Sequence, residues 1–207
     1  MSKLKIAVLA SGGGSNLQAL IDAVACESIN GQIALVITDR PGAYALRRAE
    51  AHDIAAICID RKAYSNKADF DLHLINNLNE VHPDLIVLAG YLSILSSQLI
   101  DKYQGKIINI HPSLLPAFGG KGFYGEKVHK AVIESGAKIS GATVHFVDEN
   151  TDTGPIILQE AVEVLEDDTP ETLAKRVLSV EHRLIVEAAA LFCDKKLKLK
   201  DRDVRIQ

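Results

Sequence analysis

The chain has no tryptophan, a single methionine and only three cysteines among its 207 residues. Cys26, Cys58 and Cys193 lie far apart, an odd and scattered set that argues against a disulfide framework or a clustered zinc site. No apolar run approaches the roughly 18 residues that a membrane helix needs. The opening residues, MSKLK, run straight into a strand-like stretch without the plan of a signal peptide. Neither charge sign dominates: the net charge is −4, which speaks against a nucleic-acid or membrane-surface binder. With 47% apolar and 24% charged residues the composition is that of a globular chain long enough to bury its own core, and a cytoplasmic location is expected.

What is present is an alternation of short apolar runs and longer helical stretches. Residues 5–10 (KIAVLA), 33–38 (IALVIT), 55–59, 85–89 (LIVLA) and 106–110 (KIINI) read as strands covered on both faces. Residues 44–52 and 69–81 carry helical spacing, as do Leu17, Leu20, Ile21 and Val24. This order predicts an α/β fold with a Rossmann-like, doubly wound and mostly parallel sheet. Beyond it, 125–135 reads as a helix and 143–147 (TVHFV) as a half-buried strand. Residues 155–158 start a further strand that resumes at 162–165, so antiparallel additions are expected in the C-terminal half. A long helix from Thr169 to about Leu191 has Pro170 in its first turn, and the charged tail 195–207 shows weak periodicity.

Two regions carry chemistry. Ser11-Gly12-Gly13-Gly14-Ser15-Asn16 joins the first strand to the first helix, where glycines admit a ligand and the next N–H groups face outward at a helix N-terminus. This points to a phosphate site. A dinucleotide fingerprint built on Gly12, Gly14 and Asp39 is disfavoured because Leu17 stands where its third glycine belongs. The second region begins at the fifth strand. Asn109 and His111, two apart, face the same way. Asp152 sits in a loop stiffened by Gly154-Pro155. An amide N–H and an imidazolium can stabilise an oxyanion, and a carboxylate can support the imidazolium and relay protons. No metal is needed for that set.

These segments, with AGYLSIL at 89–95, NIHPSLLP at 109–116 and SGATVHFVDENTDTGPII at 140–157, resemble the phosphoribosylglycinamide formyltransferases of purine synthesis. The resemblance implies transfer of a formyl group from 10-formyltetrahydrofolate, as co-substrate, to the amine of glycinamide ribonucleotide. It implies Asn109, His111 and Asp152 as the catalytic trio, and Gly13, Gly14, Ser15 and Asn16 as the clamp on the substrate phosphate. Glu181 is implied at the ribose or amine, Leu92, Ser93, Ile94, Leu95, Val147 and Asp148 around the folate, and His145 in a supporting role. The expected plan is one domain over 1–207, with 1–105 binding the phosphorylated substrate and 106–207 carrying folate binding and catalysis. Small-molecule substrates, no nucleic acid, no membrane, and a monomer or homodimer complete the expectation.

The chain departs from the family in three places. Ser93 stands where Arg or Lys is common, the loop 117–125 is longer than usual, and Ile185-Val186 replaces a Tyr-Pro pair. His129 matches a family histidine beyond the longer loop. A formyltetrahydrofolate hydrolase would share the trio but usually carries an extra N-terminal domain. An initiator-tRNA transferase would need a C-terminal nucleic-acid domain. A non-enzymatic phosphate sensor would leave the trio without a role.

Overall fold

In the computed structural model, which describes residues 3–207, the chain runs β1 (Leu4–Ala10), α1 (Ser15–Ala25), β2 (Gly31–Thr38), α2 (Tyr44–Glu50), β3 (Ala56–Cys58), α3 (Lys67–Val81), β4 (Leu85–Leu88), α4 (Ser97–Lys102), β5 (Ile107–His111), α5 (Glu126–Glu134), β6 (Ile139–Phe146), β7 (Ile156–Glu163), α6 (Pro170–Cys193), β8 (Leu197–Lys200) and β9 (Asp203–Ile206). Seven strands form one sheet in the order β3-β2-β1-β4-β5-β6-β7. The first five are parallel, and β6 and β7 extend the sheet antiparallel. Alternate residues of β1 explain its continuous apolar run. Ile6, Val8 and Ala10 join the layer that holds Leu17 and Leu20 of α1 and Leu184 and Ala188 of α6. Ala7 and Leu9 join the opposite layer with Phe70, Leu74 and Leu78 of α3. Strand order reverses between β1 and β4, so their carboxyl ends open a crevice where α/β sheets bind ligands.

The parallel half follows the sequence closely. The antiparallel half differs. β6 begins at Ile139 and is buried along all but its first residue, rather than being a half-buried strand over 143–147. β7 is a single strand, not two runs broken after 158. The polar residues that seemed to break it are used: the Gln159 amide donates to the Leu115 carbonyl and the Thr143 hydroxyl at 3.0 and 2.9 Å, and Glu160 pairs with Arg183 of α6. The tail forms the β8–β9 hairpin, with Leu197 opposite Ile206 and Leu199 opposite Val204. α4 is a short helix that apolar periodicity did not reveal; Ser96 caps it. Among the described residues no helix is long and apolar enough to cross a membrane.

The glycine loop and the turn before β7 have opposite tolerances. A Cβ built on Gly13 meets nothing within 4 Å, whereas one on Gly154 falls 1.7 Å from the Phe146 carbonyl oxygen. Gly154→Ala should therefore lower stability by about 2–3 kcal/mol, as overpacking does. Gly13→Ala should stay within about 0.5 kcal/mol of the parent. Urea unfolding of the two variants checks the contrast; equal midpoints would contradict it.

Candidate active site

The site starts from strand register. β5 and β6 pair so that Asn109 lies opposite His145 and His111 opposite Thr143. Cross-strand partners share a face, so four polar side chains line one side of a buried ribbon. Thr143 is fully buried and braces the loop that follows His111. Its hydroxyl donates to the Ser113 carbonyl at 2.6 Å and accepts from the Leu115 N–H at 3.1 Å.

The loop after β6 brings Asp152 to this ribbon. Asp152 adopts a left-handed backbone conformation (φ 58°). Its Oδ2 accepts from the Gly120 N–H at 2.9 Å and lies 3.5 Å from His111 Nδ1. Its Oδ1 lies 3.5 Å from Asn109 Nδ2 and 3.7 Å from His145 Nε2. The other ring nitrogen of His111, Nε2, is 2.9 Å from the Phe118 carbonyl. A carbonyl only accepts, so Nε2 carries a proton and Nδ1 is left to face Asp152. Phe118 supplies that carbonyl from φ 51°, a strained conformation for a bulky residue. His145 and His129 are both held below the ordinary histidine range, chiefly because burial disfavours the charged ring.

A cavity of about 280 Å³ opens beside these groups, close to the lower end of small-molecule sites, roughly 300 Å³. The three trio residues line it. So do Leu92, Ser93, Ile94, Leu95, His145, Val147 and Asp148, all singled out from the sequence. Leu92 and Ile94 stay exposed and give the opening an apolar lip. Ser93 is turned away from a purely ligand-facing role: its hydroxyl donates to Asp39 Oδ2 at 2.6 Å. Sequence reasoning missed Tyr91 and the flap 120–125 as further lining. Gly120, Gly122 and Gly125 all have positive φ, and their spacing was the available signal.

The glycine loop lies next to this cavity rather than in its lining. Ser11 joins the two: its N–H donates to the Gly90 carbonyl at 3.1 Å and its hydroxyl accepts from the Leu92 N–H at 2.8 Å. The three glycines have separate reasons. Only Gly14 has positive φ (69°), and a Cβ there would meet Ala45 at 2.9 Å, whereas Gly12 and Gly13 face open space. Arg48 Nε donates to the Gly13 carbonyl at 2.8 Å and steadies the loop from α2. Asn16, at the start of α1, donates to Glu181 Oε2 at 2.9 Å. Glu181 is buried there, outside the cavity lining, and burial pushes its carboxyl above the usual range. Asn16 Oδ1 and His182 Nε2 are buried without a partner.

Residues 4–189 match the family described as "Formyl transferase". The chain is 43% identical to the chloroplastic phosphoribosylglycinamide formyltransferase of Arabidopsis thaliana over 97% of its own length and 69% of that protein's. It superposes on glycinamide ribonucleotide transformylase 1 from Symbiobacterium toebii with a TM-score of 0.93 and 43% identity, covering 99% of this chain and 94% of that one. It also superposes on a formyltetrahydrofolate deformylase from Pseudomonas syringae pv. tomato at TM-score 0.89 and 28% identity, covering 99% of this chain and 66% of that one. A match that runs through β1, the trio and most of α6 takes in the whole ligand-binding crevice, and the chain belongs to the formyl transferase family.

Proposed function

We propose that the chain transfers the formyl group of 10-formyltetrahydrofolate to the primary amine of glycinamide ribonucleotide, yielding formylglycinamide ribonucleotide and tetrahydrofolate. The observation that carries this reading is the convergence of Asn109, His111 and Asp152 on one cavity, with an open glycine loop one hydrogen-bonded residue away. The similarity to proteins named for this reaction supports it.

The amine attacks the formyl carbon and forms a C–N bond, leaving a tetrahedral centre with an oxyanion and an ammonium. Asn109 offers its amide N–H to the oxyanion, and His111 offers Nδ1–H when charged. Asp152, 3.5 Å from that ring, receives or relays the ammonium proton, and the proton passes to the folate nitrogen as its bond to the formyl carbon breaks. The α1 N-terminus with Gly13, Gly14, Ser15 and Asn16 holds the substrate phosphate through N–H groups and the helix dipole. The apolar lip at Leu92 and Ile94, with Leu95, Val147 and Asp148, suits the flat pterin. Glu181 holds Asn16, and by that bond steadies the amine substrate's side of the site.

The deciding assay follows tetrahydrofolate release from the formyl donor with and without glycinamide ribonucleotide. Release that depends on the acceptor is expected. Equal release without it would make the chain a hydrolase, the activity named for its Pseudomonas neighbour.

Two substitutions separate the roles. Asp152→Asn should lower kcat by about 10²–10⁴-fold, the scale of lost acid–base assistance, with both ligands still bound. Adding His111→Ala should cost much less than the sum of the single losses, because the two act as a unit; strict additivity in steady-state rates would separate them. Gly13→Val should raise the KM for glycinamide ribonucleotide by about tenfold or more and leave the folate KM near its parent value, since the side chain occupies the space that a phosphate needs. Parallel rises in both KM values would argue against a phosphate site at this loop.

A further inference from the structure

Asn109 can serve an oxyanion only if its amide presents N–H rather than C=O to the cavity. Nothing in the shape of an amide decides that orientation, since the two ends are nearly isosteric and only the hydrogen-bond network sets them. We propose that His145 is a positioning residue that locks the Asn109 side chain as a donor. The proposal rests on the formyl-transfer reading above and assigns to His145 a task within it.

The lock follows from three contacts. His145 is 2% exposed on β6, directly opposite Asn109 in the β5–β6 register. Its Nδ1 lies 2.8 Å from the Phe146 carbonyl, which can only accept, so Nδ1 carries the hydrogen. A neutral ring then has a bare lone pair at Nε2, and Nε2 lies 3.1 Å from Asn109 Nδ2. The amide must donate there, because the flipped orientation would set Oδ1 against the lone pair. The second Nδ2 proton has a long, weak bond to Asp152 Oδ1 at 3.5 Å, which an oxygen bound in the cavity lined by Asn109, His145 and Asp152 would replace.

The lock requires a neutral His145. The titratable groups around it are His111 on β5 and Asp148 and Asp152 on the loop after β6. Burial, the largest effect, and His111 disfavour the charged ring. The Phe146 carbonyl and the two aspartates favour it, and the balance leaves His145 below the ordinary histidine range. The ring is therefore neutral at pH 7. As pH falls through its lowered pKa, Nε2 gains a proton and faces Asn109 donor to donor. The amide must then turn its oxygen inward or release the ring to Asp152. In both cases the amide is no longer fixed as a donor, so kcat falls on the acid side.

The test pairs two variants with one spectrum. His145→Gln puts an amide oxygen within reach of the former Nε2 position and does not titrate, whereas His145→Phe keeps the ring volume without an acceptor. His145→Phe should lower kcat by at least about tenfold, towards the 10²–10³-fold cost of a lost oxyanion donor, with both KM values within about twofold. His145→Gln should recover most of kcat and move the acid limb of the kcat–pH profile to lower pH. Equal impairment in both variants, or an unchanged acid limb in His145→Gln, would overturn the proposal. Long-range 1H–15N NMR of the unsubstituted protein at pH 7 should show Nδ1 of His145 protonated and Nε2 bare; the opposite tautomer would overturn it even if His145→Phe does not fold. Absence of acceptor-dependent transfer in the parent enzyme would instead reject the formyl-transfer reading, and the tautomer would still report on the lock.

Discussion

Four residues from three parts of the chain meet at the carboxylate of Asp152. One oxygen takes the Gly120 N–H of the flap and faces His111 on β5; the other faces Asn109 on β5 and His145 on β6. A carboxylate that shares its lone pairs in this way needs its backbone fixed, and the chain does so at some cost. Asp152 sits at positive φ, and two residues later Gly154 passes so close to Phe146 that no side chain fits. The end of β6, the loop and the start of β7 are thereby pressed into one unit, and the carboxylate is held beside the imidazoles at the cavity wall.

The polarity of that unit explains where sequence reading succeeds and where it stops. Runs such as KIAVLA and LIVLA are apolar on both faces, and only a strand between two layers satisfies them, so β1 and β4 were legible within a residue or so. Asn109 and His111 stood out because polar residues at the end of such a strand need a reason. β6 misled for the same cause. Thr143 and His145 alternate with apolar neighbours as in a strand with one wet face, but that face is the site, and its polar groups are satisfied by Ser113, Leu115, Gln159 and Asn109. Alternation reports polarity; it does not distinguish solvent from an internal network.

The three glycines show a similar limit. Consecutive glycines announce a special loop, but only the fold separates Gly14, dictated by Ala45 and by positive φ, from Gly12 and Gly13, which border open space. The side chain at 93 was legible as a departure from the family, yet not its consequence. Ser93 reaches Asp39 just past the end of β2, and this bond anchors the apolar lip to the sheet.

Ser11 gives the glycine loop and the apolar lip a common mechanical origin. One residue bonds to Gly90 through its backbone and to Leu92 through its side chain, and it directly precedes the glycine loop. A displacement of the glycine loop is therefore felt at the base of the apolar lip through one buried residue.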